Sequence, residues 1–265
     1  MQATLSDSFP VRRPDLVLIW GAVVAAWTVT LLLVATGGSD YIVDHDAVLE
    51  SPRFAWPLTI LLFIATWQLM TAAMMLPSSL PMMNIFLRVS QQQERSRFVF
   101  GVFMLGYFAV WTGFAVAALV NDAGVHWLVD TFPALGNRPW MISGSVLVLA
   151  GVFQFTPLKE RCLDECRDPL SFIWRFYARG PMAAWKLGLR HGLFCLGCCW
   201  ALMLTMFAVG MGSLVWMTTL AGIMVIEKVT RYGNRLATPI GVILIAWGVL
   251  VVLDLEWLPA FLRGV

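Results

Sequence analysis

The stretch Ala184–Val209, AWKLGLRHGLFCLGCCWALMLTMFAV, decides the reading of the chain. Its only charged residues are Lys186 and Arg190, both near its start. At a rise of about 1.5 Å per helical residue, it can cross a hydrocarbon layer of about 30 Å. Six further apolar stretches are of similar character, at about 16–36, 57–80, 98–120, 139–157, 214–228 and 237–257. The stretch at 214–228 is short, ends in Glu227 and Lys228, and follows its predecessor through the tight Gly210, Met211, Gly212, Ser213 turn. The pattern predicts an all-α fold, a polytopic transmembrane helical bundle of about seven spans.

Composition agrees. Of 265 residues 59% are hydrophobic and only 13% charged, and the mean hydropathy is +0.77; soluble domains carry roughly 25% charged residues. A net charge of +2 from 18 basic and 16 acidic residues leaves no footprint for a nucleic-acid partner, and the apolar content argues against disorder. Membrane lipids are the partner that composition demands. With the N-terminus in the cytoplasm, 15 of the 18 basic residues fall on the inner side, leaving Arg53, Arg138 and Arg263 outside, as the positive-inside rule requires. An odd number of spans then puts the C-terminus in the periplasm. The first span follows Arg12 and Arg13 but is longer than a signal-peptide core, so it reads as a retained helix. Loops at 37–56 and 121–138 fall outside and one at 158–183 inside. The whole of 1–265 reads as a single integral membrane domain with no separate soluble domain.

All five cysteines lie between 162 and 199, at the reducing, cytoplasmic side, where structural disulfides are uncommon. In the opening stretch His191, Cys195 and Cys199 are spaced by four and Cys195 and Cys198 by three, so one helical face carries an imidazole and three thiols. Thiolate and imidazole donors suit copper, zinc or iron, and a soft sulfur-rich set favours cuprous copper, with zinc as the alternative. Gly188, Gly192 and Gly197 allow a neighbouring helix close to that face. Cys162 and Cys166 form a second pair which, were its segment helical, would also share a face and make a four-cysteine constellation possible. The same cluster is compatible with thiol redox chemistry or with simple packing, since buried cysteine behaves as a small hydrophobe.

Around this cluster lie weaker signals. Met70, Met74 and Met75 offer thioethers, which ligate cuprous copper without losing a proton; Met82 and Met83 follow, and Met203 and Met206 carry no assigned role. Pro77 and Pro81 predict a kink or break in the second span, with freed carbonyls that protein must satisfy. Glu227 is an ionisable group at membrane depth, either a further ligand or proton acceptor near the cysteines or the partner of an arginine. The outer loops hold Asp40, Asp44, His45, Asp46 and Glu50, and Asp122, His126 and Asp130, which topology alone explains. Most of the 13 tryptophans read as packing and interface anchors. No catalytic triad, carboxylate pair or phosphate loop assembles, so there are no catalytic residues to name and the chain reads as a binding protein rather than an enzyme.

The combination of Met74, Met75, Leu76, Pro77 and Ser78, of Lys159, Cys162, Leu163, Cys166, Arg167 and Pro169, and of His191, Gly192, Cys195, Gly197, Cys198, Cys199 and Trp200 resembles the bacterial DUF2182 family of predicted metal-binding integral membrane proteins. The resemblance extends through Trp216, Met217 and Glu227 and covers roughly 57–230, a family-like metal-binding core. It implies metal ligands at Cys162, Cys166, His191, Cys195, Cys198 and Cys199, but no reaction. The resulting expectation is a multi-pass protein of the bacterial inner membrane that binds a soft transition metal, copper before zinc, for handling, transfer or metalloprotein assembly. Its partner would be a metallochaperone or a larger membrane complex. Two other readings stand beside it: a noncatalytic structural or assembly subunit of such a complex, and a membrane thiol oxidoreductase using Cys195 and Cys198.

Overall fold

The computed structural model describes residues 13–36, 56–132, 136, 138–209, 213–230 and 233–253, and among these every regular element is a helix. In chain order they are α1 Arg13–Ala35, α2 Trp56–Ser90, α3 Ser96–Thr131, α4 Pro139–Phe153, α5 Pro157–Arg167, α6 Pro169–Phe176, α7 Pro181–Val209, α8 Leu214–Val229 and α9 Gly233–Val252. Each of the seven apolar stretches falls on a helix. Five (α1, α2, α3, α7 and α9) are long and apolar enough to cross a membrane, and six if α4 and α5, bent by 65° at their junction, count as one span. The sixteen residues of α8 fall short of the roughly 20 that span a bilayer.

Local chemistry sets the breaks. Pro157 pushes Thr156 out of helical geometry, and the Thr156 hydroxyl then accepts from the Lys159 backbone N–H at 3.3 Å, capping α5. Pro169 repeats the device, with Asp168 Oδ1 accepting from Ser171 N–H at 3.1 Å to start α6. The inner loop at 158–183 is therefore two short helices. On α5, Lys159, Cys162, Leu163 and Cys166 are the buried residues, the i, i+3, i+4, i+7 stripe of an amphipathic helix.

Two expectations are narrowed or corrected. Of the kink or break expected at Pro77 and Pro81, the break is absent: α2 runs 35 residues through both. Pro77 cannot donate to the Ala73 carbonyl, and Trp27 Nε1 of α1 donates to that oxygen instead, at 3.1 Å. The outer segment at 121–138 is not a loop throughout: α3 continues to Thr131, carrying Asp122, His126 and Asp130 on its last turns. The 37–56 segment, with Asp40, Asp44, His45, Asp46 and Glu50, lies outside the described residues apart from Trp56.

Packing centres on α7, which lies along α3 and also touches α4, α5 and α8; α2 packs against α1, α3, α6 and α8, and α9 lies along α4. The α3–α7 approach depends on glycine: a Cβ on Gly106 would stand 2.6 Å from the Trp185 carbonyl oxygen, a clash that keeps larger residues out. Outward-facing apolar side chains such as Val17, Leu18, Leu105 and Ile243 are exposed, as lipid-facing helices require.

Candidate metal centre

The cysteines of α7 meet α2, α3 and α8 at one buried point, with α5 alongside. Cys195 Sγ is its hub. It accepts from Lys228 Nζ at 3.1 Å and lies 3.3 Å from the Tyr107 hydroxyl and 3.9 Å from Ser79 Oγ. Lys228 also donates to Ser78 Oγ at 3.2 Å and reaches Cys199 Sγ at 3.9 Å. Cys199 Sγ lies 3.7 Å from the thioether of Met75. The thiols of Cys198 and Cys199 turn back to the Cys195 carbonyl, at 3.1 and 2.8 Å. All five cysteines are buried and free.

α5 brings the other two. The Cys166 and Cys198 side chains lie close enough to interact, and a Cβ on Gly197 would stand 2.5 Å from Cys162 Sγ. Gly197 is thus the notch that admits Cys162. The segment is helical and both cysteines lie on its buried face, the condition for the two sets to meet. Among the described residues, His, Cys, Asp and Glu alone form no group of three or more poised to hold a metal ion. The donor that stands beside Cys199 is a thioether, that of Met75.

His191 shares the α7 face with Cys195 one turn away, but its ring is enclosed by aromatics. It stacks on Tyr107 and Phe103, with ring centroids 5.4 and 6.1 Å apart, and meets Phe172 edge-on at 6.0 Å. Its Nε2 is buried and has no hydrogen-bond partner, so a ring nitrogen with a lone pair or a proton to give stands unused inside that aromatic enclosure.

Glu227 pairs with a lysine. Its carboxylate takes two hydrogen bonds from Lys159 Nζ, at 2.9 and 2.8 Å, and Lys159 also donates to Gln154 Oε1. This ion pair is buried on both sides and ties α5 to α8, with Arg167 donating to the Thr230 carbonyl at 2.7 Å nearby. Two adjacent residues therefore divide the work: Glu227 holds α5, and Lys228 reaches the cysteines. Sequence reading missed Lys228, Tyr107, Ser78 and Ser79 as neighbours of the thiols. The signal available was Lys228 itself, a second ionisable residue at the same depth as Glu227. At the far end of α3, His126 and Asp122 pair with each other at 4.0 Å across one turn.

The family model described as "Copper chaperone" (PpoB2) matches residues 64–251, and the chain belongs to that family. The match adds copper handling to the metal binding that the DUF2182 resemblance implied; the two families are closely related but not the same. No curated protein and no solved structure matches the chain.

Proposed function

We propose that this member of the copper chaperone family binds cuprous copper within the bacterial inner membrane, at the cysteines of α7, and hands it on for metalloprotein assembly. The observation that carries the reading is the buried contact of thiol and thioether, Cys199 Sγ to Met75 Sδ at 3.7 Å, directly beside Cys195. Thiolate and thioether together select cuprous copper, whereas zinc favours four tetrahedral donors. Cys195 and Cys199 supply the anionic donors and Met75 the neutral one; Cys198, Cys166, Cys162 and His191 are assigned in this reading as exchange partners. Glu227, held by Lys159, is a structural residue in this reading.

Lys228 gives the site its charge balance. Two thiolates around one cuprous ion carry a net charge of −1, and an unpaired charge in an apolar interior is heavily penalised. The Lys228 ammonium, 3.1 Å from Cys195, neutralises it. Because the thiols release protons as the metal binds, affinity weakens as pH falls.

Competition with a cuprous chelator under reducing conditions tests the proposal. The wild-type protein should hold copper at least a hundredfold more tightly than a Cys195→Ser/Cys199→Ser variant. Equal affinities, or a wild-type preference for zinc over cuprous copper, would overturn it.

A further inference from the structure

The contacts at the cysteines fix the register of three helices. Ser79 lies against Cys195 and Met75 against Cys199, so rising numbers on α7 meet falling numbers on α2 and the two are antiparallel. α8 returns past α7, with Lys228 touching both Cys195 and Cys199, and it meets α2 at Ser78; α8 and α2 therefore run the same way. One turn from Ser78 and Lys228, toward the α7–α8 turn, stand Met74 and Met224 (four before each), and one turn past the Cys199–Met75 contact stand Met203 (four after Cys199) and Met70 (five before Met75). At about 1.5 Å per residue Met74 and Met224 lie about 6 Å along from the Cys195 level and Met203 about 12 Å. Met206 and Met217 come further on. None of the six is more than 2% exposed, and all belong to one core cluster.

Methionine is a common filler of irregular cores, but two observations point beyond filling. The stripe begins with a thiol–thioether contact, Cys199 to Met75. One turn before Met75 on the same helix, the hydroxyl of Thr71 is fully buried and has no hydrogen-bond partner, an orphan polar atom of the kind a buried site normally avoids.

We propose that Met74 and Met224, then Met70 and Met203, and then Met206 and Met217 form successive steps of thioether sites that relay monovalent copper from the cysteine cluster toward the α7–α8 end of the bundle. This rests on the proposed copper site and extends it to an exit route. On leaving the cysteines, each of the two copper–thiolate bonds is exchanged for a copper–thioether bond and each thiolate released takes up one proton; between later steps one copper–thioether bond replaces another. The copper stays cuprous throughout. Thioethers carry no charge, so the ion gains no strong trap along the way.

The test uses full-length protein labelled with selenomethionine and loaded anaerobically with one and then three equivalents of cuprous copper, read by X-ray absorption at the selenium and copper edges. Met75 gives copper–selenium scattering at one equivalent, and this scattering should rise further at three. A Met74→Leu/Met203→Leu/Met224→Leu variant, close in volume to the original, should keep the first ion and its scattering and lose the later ones. No rise in copper–selenium scattering per protein between one and three equivalents in the labelled wild-type protein would overturn the relay without recourse to any variant, as would later ions retained unchanged by the leucine variant. A first ion that survives loss of Cys195 and Cys199 would instead overturn the cysteine site, which separates the two failures.

Discussion

Lys228 is the residue on which the account turns, because it places an ammonium group 3.1 Å from a buried thiol. Lys228→Met keeps the length of the side chain and removes its charge. It should weaken cuprous copper binding by roughly 10- to 100-fold, the usual effect of losing a group that supports a metal ligand, and a chelator titration measures it. Unchanged affinity would remove the charge-balance role. Glu227→Ala tests the neighbouring pair, since it leaves Lys159 buried without its carboxylate. A loss of about 3–5 kcal/mol of stability is expected, read as a fall in unfolding midpoint in detergent, while a Lys159→Met/Glu227→Leu double variant should recover much of it. At this scale the sequence was half legible. The i, i+3 and i+4 spacing of Cys195, Cys198 and Cys199 put the thiols on one face, but nothing in the spacing could show that Tyr107 and Lys228, 88 and 33 residues away, would meet Cys195.

At the scale of elements, prolines and glycines explain most of what the hydrophobic pattern left open. Periodicity located the helices, and Pro157 and Pro169 divide the inner segment into α5 and α6. At α2 the prolines could not decide between a kink and a break, because whether Pro77 breaks a helix depends on who satisfies the Ala73 carbonyl, and that donor, Trp27, comes from 46 residues upstream. Trp27→Phe keeps the aromatic volume and removes the donor. It should cost about 1–3 kcal/mol, the penalty for a buried acceptor left without a partner, and hydrogen exchange of α2 amides near Ala73 should speed up relative to those near Phe86. No change in either would mean that another group satisfies the carbonyl.

For the whole molecule, the seven apolar stretches gave the helical architecture directly, the shortness of α8 included, whereas the length of α3 was not legible, because apolar content does not mark where a helix outruns the membrane. The basic residues predict that α5, α6 and the start of α7 face the cytoplasm. A reporter active only in the periplasm should therefore be silent when inserted at Arg179 and active when inserted at Asp130; the reverse pattern would invert the topology. The most direct test of the central claim is the metal content of protein purified from cells without chelator, compared with a variant in which Cys162, Cys166, Cys195, Cys198 and Cys199 are all serine. Near-stoichiometric copper in the wild type, lost in the variant, is the expected result. Equally negligible copper in both, even after anaerobic reconstitution with cuprous copper, would contradict it.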